Sequence, residues 1–387
     1  MKKILLGSTA LVAAGMIAGG AAKAEDQPIA VSVGGYYQSA FAVIDQNNEG
    51  DSAGTSTRNE VGNATNTTAF GQDVEINVGG SATFDNGLTA GFKFAIEGNA
   101  AGDDSTTADE RFVFFRGNWG QIQVGSAESA RQAFTNFAPG GSGIFGVNTP
   151  FFIFADPGNA AGIFNVHTYD DGLGAEDSMK IVYFSPSFNG FSFAMSYAPS
   201  DEGQSQYGDN GRDENGQLID QVSGAIAFDK DFGGFKMRLA AGYEGYTLDR
   251  CGANVAAQNC DDSPASWHAG GTFTIGQVSI GGGYLNTDLV ANATSTGSRD
   301  REDFDIGIAY WDAMWGVGLQ YGRAEQEGVD QLDETFDVVA INGTYILGPG
   351  VSLSAQVDVG AFEDNTVSIN PNDNDFVQFM VGSSLSF

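Results

Sequence analysis

Along most of this chain large apolar side chains alternate with small or polar ones at a period of two, the spacing that puts successive residues on opposite faces of a β-strand. In the stretch from Phe191 to Ala198, Phe191, Phe193, Met195 and Tyr197 share one face, and Ser192, Ala194, Ser196 and Ala198 share the other. After Asn86-Gly87, Leu88, Ala90, Phe92, Phe94 and Ile96 oppose Thr89, Gly91, Lys93, Ala95 and Glu97, so here the second face carries charge. The last eleven residues repeat the pattern, with Val377, Phe379, Val381, Leu385 and Phe387 in one phase. Tight turns are expected at Asn86-Gly87, Trp119-Gly120, Asn189-Gly190, Gly233-Gly234, Gly276-Gln277, around Met314 and at Pro349-Gly350. Asn-Gly suits a type I′ turn because both central residues take positive φ. Seven turns join fourteen strands, and one strand at each end makes sixteen. Their expected ranges are 29–45, 70–85, 88–98, 109–118, 121–127, 179–188, 191–199, 217–231, 235–248, 265–275, 277–287, 302–313, 315–325, 334–347, 350–363 and 374–387.

Two packed sheets are the usual way to bury alternating strands, but a sandwich sets one apolar face against another. Here the apolar faces exceed what one soluble core needs, while the opposite faces are small, polar or charged. Lipid tolerates the first, and a closed barrel removes the edges that an apolar terminal strand would otherwise expose. An even strand count, with short turns on one side and longer loops on the other, predicts an all-β, 16-stranded antiparallel transmembrane β-barrel. Tyr36, Tyr37, Trp119, Phe188, Tyr243, Tyr246, Trp267, Trp311, Trp315, Tyr345 and Phe387 fall near strand ends, where interfacial aromatic girdles are expected.

The chain begins as an exported protein would. Lys2 and Lys3 precede an apolar stretch from Ile4 to about Ala18, and Ala22-Lys23-Ala24 supplies a cleavage site, so residues 1–24 are expected to be a signal peptide. The remainder, 25–387, is expected to be a single barrel domain, because no Pro- or Gly-rich tether divides it. The formal charge is −32, which disfavours nucleic acid as a partner and favours an acidic vestibule that concentrates cations. Cys251 and Cys260 are the only cysteines, lie in one loop and are expected to form a local disulfide. With two distant histidines, His167 and His268, no zinc-type spacing appears, and no cofactor is expected. The acidic loops are candidates for weak Ca²⁺ or Mg²⁺ binding, without an EF-hand spacing to name a site. Gly141-Ser142-Gly143-Ile144-Phe145-Gly146 matches a dinucleotide fingerprint by letter but lacks the strand and helix that would frame it. No G-x-S-x-G elbow occurs, and no enzyme activity is expected.

Arg111-Phe112-Val113-Phe114-Phe115-Arg116-Gly117-Asn118-Trp119-Gly120-Gln121-Ile122-Gln123-Val124-Gly125, the strand from Ile181 to Phe191, the signal peptide and terminal Phe387 together resemble the Gram-negative general porins, particularly those of alphaproteobacterial type. The resemblance covers the whole chain. It implies a trimer in the bacterial outer membrane, surrounded by lipid and lipopolysaccharide and folded by the barrel assembly machinery. It also implies that the third external loop folds inward, and the longest connection, about 128–178, lies in that place. Its many phenylalanines need burial, which argues against disorder. Glu128, Asp156, Asp170, Asp171, Glu176 and Asp177 would then supply the acidic side of a constriction. Lys93, Lys180, Lys236 and Arg238 each fall opposite the apolar residues of their strands, and a Lys or Arg facing lipid at the midplane costs about 2–4 kcal/mol, so these four are expected on the pore wall.

The resulting expectation is a passive, water-filled channel for small hydrophilic solutes and ions that prefers cations. A substrate-specific porin is the alternative within channels, and a non-conducting adhesin or structural anchor lies outside them. By resemblance, Phe387 is the signal that the assembly machinery reads. Deleting it is expected to lower the yield of heat-modifiable, folded barrel on gels while leaving unchanged the conductance of channels that do form.

Overall fold

A computed structural model describes residues 22–23, 29–46, 66–98, 108–135, 137–149, 151, 154–155, 166, 168, 178–200, 218–248, 263–289, 299–327, 333–364 and 372–387. Sixteen strands form the wall: β1 (Ala30–Gln46), β2 (Thr68–Thr83), β3 (Thr89–Glu97), β4 (Ala108–Gly117), β5 (Gly120–Ser126), β6 (Met179–Phe184), β7 (Phe191–Ser200), β8 (Leu218–Asp231), β9 (Lys236–Leu248), β10 (Ala265–Ile275), β11 (Val278–Leu289), β12 (Arg299–Trp311), β13 (Trp315–Glu327), β14 (Asp333–Gly348), β15 (Val351–Asp364) and β16 (Asn372–Ser386). Each pairs antiparallel with the next, and β16 returns to β1 in register from Phe376↔Gln46 to Ser386↔Tyr36. Gly35 and Phe387 exchange two further backbone hydrogen bonds of 3.1 Å, which extend this seam. The sheet is therefore closed. A two-residue strand, Ala22–Lys23, adds a parallel bridge to Ala82 and Thr83.

All seven expected turns join adjacent strands of the wall. At Asn189 and Gly190, φ is 55° and 99°, the left-handed pair that a type I′ turn requires. The expected strand 179–188 ends early, at Phe184, because Pro186 has no N–H for the ladder. Ser185 bridges the gap: its N–H donates to Phe193 O at 2.9 Å, and its Oγ accepts from Phe193 N at 2.9 Å. The strand expected at 302–313 begins three residues earlier, at Arg299.

Facing follows the alternation. On β15, Leu353, Val357 and Val359 are exposed while Ser354, Gln356 and Asp358 are buried; on β16, Val377, Phe379, Val381 and Leu385 are exposed while Gln378 is buried. The exposed apolar phase is the outer face of the barrel. The inner phase is less uniformly polar than the alternation implies, because Phe112, Phe114, Phe336, Phe362, Phe376 and Met380 are buried on it. Three aromatics expected in the outer girdle, Tyr36, Tyr246 and Trp311, also belong to this phase. Tyr36 donates to Glu75 Oε2 at 3.4 Å, and Tyr246 is buried and donates to Glu244. Tyr243, Trp267, Trp315 and Tyr345 are exposed on the outer face as expected.

These facings set a depth-dependent expectation. Val357→Arg, in mid-strand on the outer face, should lower folding stability in lipid by about 2–4 kcal/mol, whereas Leu385→Arg, near the strand end, should cost about 0–1 kcal/mol. Denaturant unfolding in vesicles measures both.

Candidate functional site

The longest connection between consecutive wall strands is the one from β5 to β6, residues 127–178, and its described residues are tied to the inner phase of the wall along much of its circumference. It opens with a short helix, α1 (Ala130–Ala133). Ser129 starts it with a capping box: Ser129 Oγ accepts from Gln132 N at 3.3 Å, and Ser129 N donates to Gln132 Oε1 at 3.0 Å. Two N–H groups at this end, which the helix cannot satisfy, donate to the wall instead. Ala130 N reaches Ser196 Oγ on β7 at 3.0 Å, and Arg131 N reaches Ser223 Oγ on β8 at 2.9 Å. Arg131 is fully buried over Gly242 of β9, where a Cβ would stand 3.0 Å from its Cγ. Beside it, Glu244 Oε1 accepts from Gln221 Nε2 at 2.8 Å, and His268 is buried on β10.

Farther along, Asp305 on β12 acts as a four-way acceptor. Its Oδ1 takes Ala138 N from the connection and Gly283 N from β11, both at 2.7 Å, and its Oδ2 takes Thr168 Oγ1 at 2.7 Å and Asn148 Nδ2 at 3.4 Å. Next to it a row of side-chain amides crosses four strands. Asn342 donates to Gln320 Oε1 at 2.7 Å and to Gln356 Oε1 at 3.1 Å, while Gln356 and Gln378 donate to Asp358 Oδ2 at 3.0 and 2.6 Å. The row also holds the connection: Asn342 Oδ1 accepts from Gly141 N at 2.6 Å, Gln378 Oε1 accepts from Phe154 N at 2.9 Å, and Gln320 Nε2 donates to Ala138 O at 2.9 Å. Trp311 Nε1 adds a bond to Gly140 O at 2.9 Å. A buried polar group left unmatched costs about 1–3 kcal/mol, so a polar inner wall and an irregular backbone satisfy each other.

Apolar packing completes the attachment. Ile144, Phe145, Val147, Phe151, Ala155 and Val166 of the connection form one core with Ala40, Ala42, Ala340, Phe336, Phe362, Phe376 and Met380 of the wall. This explains why the inner phase carries phenylalanine. Phe336, Phe362 and Phe376 stack with ring centroids 4.7 to 6.4 Å apart beneath this cover. The glycine-rich letters at 141–146 also find their purpose: a Cβ on Gly141 would lie 2.2 Å from Val317 C, so only glycine lets the two backbones meet.

Of the acids expected on the connection, Glu128 is half-buried at its start, and Asp156, Asp170, Asp171, Glu176 and Asp177 lie outside the described residues, as do Cys251 and Cys260. The four expected wall cations all fall on the inner phase but have different settings. Lys93 pairs with Glu110 on β4. Lys180 is buried and donates to Ala127 O, so it fastens the connection and does not line open space, contrary to the expectation for it. Lys236 stands at the first residue of β9, with a side chain 46% exposed and 4.0 Å from Asp231 across the turn; that places it at the rim and not on the midplane wall. Arg238 is half-buried. Phe387 is exposed, held by its backbone. Sequence reasoning did not single out Asp305, Gln320, Asn342, Gln378, Arg131 or Glu244. The wall residues among them do sit in the polar phase of their strands, which gives their facing, but nothing local names the partners that Asp305, Gln320, Asn342 and Gln378 find on the connection, 137 to 224 residues away.

Comparison with known proteins adds the following. A family model described as Gram-negative porin matches residues 7–365. No curated protein matches the chain. Solved structures of similar fold include OmpF of Salmonella typhi in complex with daunomycin, with TM-score 0.62 and 14% identity over 92% of this chain and 97% of the other. Another is the trimer form of OmpT of Vibrio cholerae, with TM-score 0.61 and 13% identity over 93% and 100%. The outer membrane channel DcaP of Acinetobacter baumannii gives 0.58 and 12% over 93% and 97%. At such identities the likeness is one of fold.

Asp305 is the acceptor on which this attachment converges. Asp305→Ala should destabilise the protein by on the order of 1–3 kcal/mol per stranded buried donor and open residues 137–149 to proteolysis, with Asp305→Asn milder because one acceptor remains. Denaturant unfolding and limited proteolysis followed by mass spectrometry check both.

Proposed function

Because this chain belongs to the Gram-negative porin family, an outer-membrane channel family, we propose that its barrel encloses a water-filled path for passive diffusion of small hydrophilic solutes and ions, and that the path prefers cations. The observation that carries this reading is the connection between β5 and β6, bound to the inner phase of a closed wall from β7 to β16 and β1. In this reading the connection lies within the lumen and sets its narrowest section. Selection by size follows from the space it leaves, and no covalent chemistry is involved.

Charge supplies the second filter. Asp73, Glu75, Glu97 and Glu110 face inward on β2, β3 and β4, with Lys93 among them, and the whole chain carries −32. Fixed charges around a narrow aqueous path raise the local concentration of ions of opposite sign. The row of amides on β13–β16 holds the connection, which supports general diffusion over a track for one solute. In the assembled state we assign three copies, as in the trimer form of OmpT, with outer-membrane lipid and lipopolysaccharide against the remaining outer face.

In planar bilayers with a KCl gradient, the reversal potential should take the sign of K⁺ selectivity. It should decline as salt rises toward 1 M, where the screening length falls to about 3 Å. A reversal potential of the opposite sign would refute the preference.

A further inference from the structure

One cation of the outer face stands inside the apolar band. Along β8 the exposed Val222 and Ile226 and the buried Gln221, Ser223 and Ala225 fix the phase, so Phe228 and Lys230 point outward, and Phe232 follows in the turn to β9. Across the ladder Lys230 pairs with Met237, and the row continues through Phe273, Ile280 and Ile308, all three exposed on the outer face. Its neighbours along the strand and across the sheet are thus apolar.

A lysine on such a surface lays its stem along the apolar face and carries the ammonium toward water. Here phenylalanines continue past it. Phe191, Phe228, Phe232 and Phe235 form a ladder with successive ring centroids 4.6, 6.2 and 4.7 Å apart, and Phe232 and Phe235 are exposed beyond the lysine at the turn. Lys230 Nζ lies 5.7 Å from the centre of the Phe232 ring and donates to Asn189 Oδ1 at 2.7 Å. That bond uses one of the three N–H donors of an ammonium, and the Asn189 amide brings further donors of its own beside it. Arg323, another cation of the outer face, is held between Asp337 and Glu325. Among the described residues no carboxylate lies within ion-pair distance of Lys230.

A cation with spare donors beside an exposed aromatic ladder matches a ligand that is anionic at one end and hydrocarbon at the other. We propose that Lys230, Asn189 and the four phenylalanines bind an anionic phospholipid, its phosphate on the Lys230 ammonium and an acyl chain along the rings. Short turns of outer-membrane barrels face the periplasm, so the lipid belongs to the leaflet on that side. A free anion gains nothing from the rings, and a zwitterionic headgroup brings a cation of its own to compete with Lys230. The chain's charge of −32 opposes general attraction of anionic lipid, so a preference for it has to arise locally. Binding here goes beyond the channel reading and does not depend on conduction.

Native mass spectrometry of folded, detergent-solubilised protein titrated with dioleoyl phosphatidylglycerol or dioleoyl phosphatidylcholine reads the site directly. The first phosphatidylglycerol should bind more tightly than phosphatidylcholine. Lys230→Met, similar in length and apolar, should weaken it by roughly tenfold or more, the weight of one hydrogen bond to a charged group. Lys230→Arg should retain the preference. Lys236→Met, which removes a charge from the same rim but on the inner phase, should leave phosphatidylglycerol binding unchanged. Heat-modifiable gel mobility confirms that each variant is folded. Equal affinity for the two lipids, or unchanged phosphatidylglycerol affinity in folded Lys230→Met, would overturn the site and leave a lysine that only reaches for water. Displacement of the lipid by millimolar inorganic phosphate would overturn it in favour of a site for free anions.

Discussion

In hydrocarbon there is no water to take up an unpaired N–H or C=O, so a strand that crosses a membrane must find partners on both of its edges. The seam between β16 and β1 meets that requirement for the whole wall, running from Phe376↔Gln46 to the paired backbones of Phe387 and Gly35. Once the seam closes, the facing of every strand is locked to its neighbours, because a slip by one residue would turn an entire apolar set inward. The exposed valines, leucines and isoleucines of the outer face and the glutamines, asparagines and carboxylates of the inner phase are consequences of that single registration.

Closure at sixteen strands creates a second problem inside. A ring this wide cannot be filled by the side chains of its own wall, unlike an eight-stranded barrel. In the proposed reading the connection from β5 to β6 supplies the missing material. It brings irregular backbone with N–H groups of its own, and the wall meets these with Ser196, Ser223, Asp305, Asn342 and Gln378. It also brings phenylalanines, which the wall meets with Phe336, Phe362, Phe376 and Met380. The polar set is spread from β7 to β16 and the apolar set is gathered on β14 to β16, so the attachment is broad and no one element carries it alone.

The wall was legible in the sequence because strand parity is a local property. Asn189-Gly190 announces its own turn, and the phase of Leu353, Val357 and Val359 can be read within one strand. Departures came from equally local chemistry, as where Pro186 cut β6 short. The site was less legible for a different reason. Parity tells that Lys180 and Lys236 face inward but not how deep they lie, and depth separates a buried fastener from a rim charge. Nor can a phase rule distinguish an inner phenylalanine that faces water from one covered by a distant segment, as Phe362 is.

The channel proposed above is an open lumen narrowed by an internal segment, a device that sorts by size and charge without recognising any one molecule. Solute flux into proteoliposomes is the most direct measure of that claim. In isotonic solutions of uncharged sugars of increasing mass, swelling rates should fall smoothly with size, and stereoisomers of equal mass should enter at equal rates. Absence of swelling for every sugar would mean a sealed barrel, and a marked preference between isomers would mean a binding track; either result contradicts the account.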